Sequence, residues 1–358
     1  MITMKAVRWV LGYVKTTLLI LIITVLLLET ALRVYHFVDP LFIFPDNSDL
    51  RFRGQPYAAD YDFVLNSKGF KDTEFTAEKA DGTRRIVGIG DSFLFGTVPY
   101  QHNFLTILEA EWNLTKTAPA IEVFNMGIPG TSPRQYLSVL LKDALPLRPD
   151  AAIVFIYIGN DFLEISRKPL LQYSFVVAAG KYMIDLIRHV EGGLTFHGRT
   201  SQYKDDGAAT FSPEKFLEIE TGRSDIYAKG GKMLAERLPL VMYFVDEMRK
   251  VCNENGIAFY VVLIPDEVQI DLELQHNVIT ALQTDRDKMD FDLPNKRLNE
   301  ELEGRNVKHL DLLPALKEAS KNRRLYIPRN THWNIEGNRQ AANVLRDFLR
   351  TELSANTQ

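Results

Sequence analysis

The chain has 358 residues, 46% of them hydrophobic and 25% charged, with a formal net charge of −4. That is the composition of an ordinary globular protein, long enough for one large α/β domain and an appendage, and its near-neutral balance without a long basic run argues against nucleic acid as the main partner. The single cysteine, Cys252, excludes an intramolecular disulfide; lying on the apolar helix face of Val241, Phe244, Val245, Met248 and Val251, it fits a buried core thiol better than a nucleophile.

The first forty residues break this composition. Lys5, Arg8 and Lys15 precede the uncharged run Thr16–Leu28, which is followed by Glu29 and Arg33. About thirteen residues are short for a span that needs about twenty, but Lys15 can snorkel so that Trp9–Val14 extends the buried length. Glu29 and Arg33, an i,i+4 pair, can neutralise each other at the far end, with Tyr35 and Phe37 as interface aromatics. A cleaved signal peptide and a soluble core helix are the rival readings; no small-x-small cleavage site follows Leu28. The expectation is a single-pass anchor, residues 1–37, crossing between about 16 and 32. The basic residues on its N-terminal side place that end in the cytoplasm and the bulk of the chain outside the cell membrane.

Residues 38–83 are rich in Pro, Asp, Gly and aromatics and predict a connector packed on the domain edge, with a short hairpin around Val64–Phe70 in which Asn66 and Gly69 turn the chain. Then Ile86–Ile89, preceded by Arg84 and Arg85, predicts a buried parallel strand that stops at Gly90-Asp91-Ser92. Glycine allows a sharp turn there, and Asp and Ser suit a helix start, so Ser92 alone is equally well a plain N-cap. A helix is expected over Asn103–Trp112, a second strand over Ile121–Asn125, a helix over Tyr136–Leu145, and a fully apolar third strand over Ala151–Ile158 that ends in Gly159-Asn160-Asp161. Alternation stops between about 163 and 235, an insertion in which Ser174–Val190 alone has a helical apolar pattern; such an insertion suits a lid or binding element. Regularity resumes with a helix over Leu240–Glu254, a strand over Ile257–Ile264, a short strand over Val307–Asp311 and a last helix over Ile335–Leu353. Strand and helix alternating in this way predict a doubly wound parallel sheet of five strands.

Three strand ends carry small or polar residues: Ser92, Gly130 and Asn160. Neighbouring parallel strands bring such ends to one crevice. A serine nucleophile needs a base, and of seven histidines only His332 lies in a polar loop, Ile327–Gly337, just before the last helix. Gly90-Asp91-Ser92, Asn125–Gly130, Gly159-Asn160-Asp161 and Thr331-His332-Trp333-Asn334, in this order, resemble the four blocks of the SGNH/GDSL hydrolases. The resemblance covers roughly residues 84–352 apart from the insertion. It implies a flavodoxin-like, three-layer fold with Ser92 as nucleophile and His332 as general base. It also implies an oxyanion hole made of the Ser92 and Gly130 backbone N–H groups and the Asn160 side-chain amide. Asp91 and Asp161 are better read as supports of their turns than as catalytic acids.

One departure from the family pattern stands out. Members usually carry an aspartate two or three residues before the histidine, where this chain has Asn330 and Arg329. Asn330 can orient the imidazole through its oxygen but cannot stabilise imidazolium as a carboxylate does; a Ser-His dyad helped by a backbone carbonyl, a slow enzyme and an inactive one all remain open. Asp311 and Glu336 are the other carboxylates that could stand in. The expectation is a membrane-anchored serine esterase acting on acyl, foremost acetyl, esters of a cell-surface glycan, with no metal, nucleotide or other cofactor motif in the sequence. O-acetyltransfer by the same residues is the nearest alternative, and a catalytically impaired glycan-binding or assembly protein is the alternative of another class.

Overall fold

In the computed structural model, residues 4–38, 54, 56–115, 119–165, 174–188, 203 and 207–355 are described. Parts of the expected connector and insertion, together with His189 and His197, lie outside these residues. The chain divides into two compact units, Met1–Asp46 with Arg167–Gly193, and Asn47–Ser166 with Leu194–Gln358.

The first unit contains two described helices. Met4–Val38 is one continuous helix whose stretch Arg8–Tyr35 is long and apolar enough to cross a membrane, with none of it buried in the protein. The second helix, Phe175–Arg188, corresponds to the one expected from Ser174 to Val190.

The second unit opens with a two-stranded antiparallel ladder, β1 (Ala59–Asp60) and β2 (Phe63–Val64). The hairpin therefore turns at Tyr61–Asp62, ahead of the expected place. Asn66 and Gly69 form a second turn, in which Asn66 Oδ1 accepts from the N–H groups of Lys68 and Phe70, each at 3.0 Å. This segment is tied into the fold by buried charge: Lys71 pairs with Asp60 at 2.6 Å, and Asp72 accepts from Asn125 N at 2.6 Å and Tyr100 OH at 2.9 Å.

The main sheet comprises β3 (Arg84–Gly90), β4 (Ile121–Gly127), β5 (Ala151–Tyr157), β6 (Ala258–Ile264) and β7 (His309–Asp311), all parallel, in the order β4-β3-β5-β6-β7. β5 is buried along its whole length, which is why it is apolar up to its last residue, Tyr157. Alternate residues feed two cores. Val87, Ile89, Val154 and Ile156 face the helices Pro133–Val139 and Lys232–Glu254. Ile86, Ile153, Phe155 and Val262 face Phe104–Leu114 and Ile335–Ala355. The result is a flavodoxin-like three-layer sandwich, each fully buried aliphatic side chain contributing about 1.5–3 kcal/mol.

Three elements differ from expectation. The helix expected from Leu240 begins at Lys232 and runs through Pro239; its first turns are held by Asp225, which accepts from Met233 N at 2.7 Å, and by Arg237, which donates to Phe162 O at 2.7 Å. Those contacts offset the backbone bond that proline cannot make. The helix expected over Tyr136–Leu145 is α-helical only over Pro133–Val139, then widens into a π turn and closes as a 3-10 turn around Pro146. Arg85 does not border the sheet but lies fully buried in it, its Nε on Glu122 at 2.7 Å and its other nitrogens on backbone carbonyls including those of Ala77 and Glu78.

Candidate active site

β3 lies between β4 and β5, and the chain crosses from it first to β4 on one side and then past it to β5 on the other. The carboxyl ends of β3 and β5 therefore flank the topological switch point, where open α/β sheets hold their ligands. Ser92 starts a one-turn helix immediately after β3; Asp91 caps it by accepting from Phe93 N at 2.9 Å. Gly130 follows β4 with φ of 69°, a conformation that suits glycine. Asn160 follows β5, and its side-chain oxygen is buried with no hydrogen-bond partner among the described residues. A buried amide oxygen left out of the fold's own bonding asks for a functional explanation. Asp161 accepts from Tyr136 OH and from Tyr157 N, both at 2.8 Å, and so braces the turn that carries Asn160.

His332 arrives from the opposite end of the sequence. Its Nε2 stands 2.8 Å from Ser92 Oγ across a separation of 240 residues. Its Nδ1 lies 2.9 Å from Asn330 Oδ1 and 3.1 Å from Asn330 O. With Nε2 accepting the serine hydroxyl, Nδ1 carries the ring proton and donates it to both oxygens of Asn330, which fixes the tautomer a general base needs. Asp311 and Glu336 are engaged elsewhere: Asp311 accepts from Asn295 and Asn299 at 2.7 and 2.9 Å, and Glu336 accepts from Gln340 at 3.0 Å and pairs with Arg323.

The loop holding His332 is strained. Arg329 and Thr331 have φ of 48° and 71°, and left-handed backbone at a β-branched threonine costs on the order of 1–3 kcal/mol. Neighbours impose it. Ile327 N donates to His332 O at 2.9 Å, and Asn334 N to Leu325 O at 2.9 Å. Trp333 is buried edge-on against Phe93, centroids 5.0 Å apart, and Phe93 also lies 5.1 Å from the His332 ring and 4.3 Å from Tyr157. One phenylalanine, next in chain to Ser92, thus packs against both the base and the third strand.

Two sets of supporting residues escaped the sequence reading. From the insertion, Thr210 N and Phe211 N donate to Pro328 O and Arg329 O, both at 3.1 Å, while Asn330 Nδ2 donates to Thr210 Oγ1 at 2.6 Å. Beneath Phe93, buried Arg223 donates to Tyr157 OH at 2.7 Å and pairs with Glu220 and Asp266; Tyr157 and Tyr227 donate to Asp266 at 2.8 and 3.0 Å. Burial, then the charge of Asp266, raises the Glu220 carboxyl. The one available signal was the tyrosine ending an otherwise apolar strand, since a buried phenol demands a partner. Beside the loop that carries His332, and sharing Pro328 and Arg329 with it, lies a cleft of about 820 Å³ with Glu267, Asp271, Asn277 and Arg324 on its walls.

The family described as SGNH hydrolase-like domain, acetyltransferase AlgX, matches residues 228–358. Among solved structures, a catalytic mutant of an acetylxylan esterase from Geobacillus stearothermophilus is 14% identical with a TM-score of 0.41, covering 74% of this chain and 94% of its own. A member of the lipolytic G-D-S-L family from Veillonella parvula is also 14% identical with a TM-score of 0.39, covering 74% of this chain and 97% of its own. No curated protein matches the sequence. The part of the chain over residues 228–358, which carries His332, β6 and β7, is thus similar to the SGNH hydrolase-like domain family, and the parallel sheet has the order expected of such a fold.

Proposed function

We propose that this chain is a serine acyl-transfer enzyme that hydrolyses acyl esters, foremost acetyl esters, of a cell-surface glycan. The observation that carries the reading is the hydrogen-bonded line Ser92 Oγ–His332 Nε2 and His332 Nδ1–Asn330 Oδ1, at 2.8 and 2.9 Å. Ser92 Oγ attacks the ester carbonyl carbon while His332 Nε2 takes its proton. The oxyanion is held by the Ser92 and Gly130 N–H groups and the Asn160 amide. His332 then passes the proton to the leaving sugar oxygen, and the acyl group stays on Ser92. Water, deprotonated by His332, attacks the acyl-enzyme, releasing the acid and restoring the serine. The polar walls of the neighbouring cleft suit a hydroxylated substrate better than a long acyl chain.

In this reading, residues 1–37 form a single membrane anchor with the N-terminus in the cytoplasm. The hydrolase domain, 84–352 with its insertion of about 163–235, works outside the membrane, joined through 38–83. The bare apolar surface of Arg8–Tyr35 supports the anchor. A reporter fused at the C-terminus and active only in the cytoplasm would contradict this topology.

A second reading, O-acetyltransfer to a glycan hydroxyl, is favoured by the acetyltransferase description of the matching family. Both share the acyl-enzyme. Treating the full chain with a fluorophosphonate probe should modify Ser92, and an unmodified Ser92 in folded protein would remove both readings. Acetate release from an acetylated polysaccharide, measured against acetyl transfer to a de-acetylated one, separates them.

A further inference from the structure

We infer that the insertion helix Phe175–Arg188 lies in the membrane interface, docked on the N-terminal helix with its remaining apolar surface in lipid. The inference rests on the reading of Met4–Val38 as a membrane anchor. Glu29 of that helix caps the insertion helix: its carboxylate accepts from Phe175 N at 3.0 Å, Val176 N at 2.9 Å and Ser174 Oγ at 3.2 Å. A carboxylate on the first N–H groups of a helix satisfies orphan donors and meets the positive end of its dipole. Arg33, hydrogen-bonded to Glu29 at 2.9 Å through Nε, covers the Phe175 ring at 4.6 Å. Phe175 and Ala178 are buried, with Leu32 and Ala179 packed against them.

The position of this joint selects the occupant. From Trp9 to Leu28 the N-terminal helix runs about 30 Å, one hydrocarbon thickness, so Glu29 marks the level at which the chain leaves the hydrocarbon. The insertion helix starts at that level. Its 14 residues span about 21 Å, too few to cross. Its described side chains, Phe175 to Ala179 with Met183 and Ile184, are all apolar and give it an apolar face. Only part of that face meets the N-terminal helix: Val177, Met183 and Ile184 are 43%, 55% and 49% exposed. They continue a surface that is itself bare, since Leu26, Leu27 and Leu28 beside Glu29 are also exposed. A helix held at the interface with these apolar side chains in lipid accounts for each of these features.

The test uses the full chain in phospholipid nanodiscs with a nitroxide on a single introduced cysteine, Met183→Cys, Ile184→Cys or, as the anchor control, Leu21→Cys. Cys252 can stay, because it is fully buried and burial pushes its thiol up to about 12. Relaxation by oxygen, which concentrates in lipid, is compared with relaxation by a nickel chelate, which stays in water. The expected result is oxygen-dominated relaxation at all three positions. Chelate-dominated relaxation at 183 and 184, or shielding of both from either agent by protein or by a second copy, with Leu21 still in lipid, overturns the inference and leaves the anchor standing. A Leu21 label out of lipid removes the anchor reading itself.

Discussion

Asn330 Nδ2 donates to Thr210 Oγ1 at 2.6 Å, and that bond turns the other end of the amide, Oδ1, toward His332 Nδ1. An amide can face either way, and facing the wrong way it would set an N–H against the imidazole N–H. Thr210, 120 residues away in the insertion, is what selects the productive orientation. Replacing Thr210 with Val keeps the shape and removes the acceptor. We expect kcat on a small aryl acetate to fall about three- to tenfold, the worth of about one hydrogen bond, with KM and the melting temperature little changed. Thr210→Ser should retain activity. A Thr210→Val enzyme with undiminished kcat would show that the amide is oriented by other contacts.

Asn330 itself is the residue that departs from the family pattern. Its oxygen accepts the imidazole proton but carries no full charge to stabilise imidazolium. Restoring a carboxylate with Asn330→Asp should raise kcat by about tenfold, since about 1.4 kcal/mol of charge stabilisation suffices. Thr210 tolerates the change because its hydroxyl can rotate and donate. If Asn330 were only a turn residue, with its backbone oxygen at 3.1 Å holding the ring, Asn330→Asp and Asn330→Ala would both be nearly silent. A large loss in a folded Asn330→Asp variant would mean that the amide is required as such.

Asn160 offers a sharper test of the oxyanion hole. Its side-chain oxygen has no hydrogen-bond partner among the described residues, so removing that oxygen should cost the melting temperature little. Asn160→Ala should nonetheless lower kcat by about 10² to 10³, the usual cost of one oxyanion donor. Ser92→Ala and His332→Ala should leave no measurable turnover. A stable Asn160→Ala enzyme at full rate would sink the assignment.

Much of this architecture is legible in the chain because each strand is buried between two helical layers. Ile86–Ile89 and Ala151–Ile158 must then be apolar throughout, and the glycine or polar residue that ends each of them is conspicuous. Ser92, Gly130, Asn160 and His332 stood out as candidates that way, together with the family resemblance. What stayed hidden depends on contacts that sequence spacing does not encode. Pro239 suggests a helix boundary, yet Asp225 and Arg237 secure the turns before it. Arg85 looks like a flanking charge, yet backbone carbonyls surround it. Thr210 sits in a segment without periodicity, and only the folded backbone brings it to Asn330.

Acidity should stabilise this fold at one identifiable carboxyl. Glu109, on the helix Phe104–Leu114, accepts from Val123 N at 3.3 Å. Its pKa is raised to about 7, by burial above all; the Val123 N–H opposes the rise and the charges of Asp72 and Glu122 add to it. The folded state therefore holds this proton more tightly than the unfolded chain, whose carboxyl has its ordinary value of about 4.3. Its stabilising contribution is complete below that value and is lost as pH rises to about 7. Glu109→Gln keeps an oxygen for Val123 and cannot ionise. Asp72 and Glu122 are present in both proteins, so their own effects cancel in the difference to first order. The variant should melt close to the wild type at pH 4.5 and above it at pH 7.5, the gap opening between those values. A gap that does not change with pH would mean that Glu109 is already ionised in the folded protein throughout this range, its charge held by solvent rather than pressed against Asp72 and Glu122.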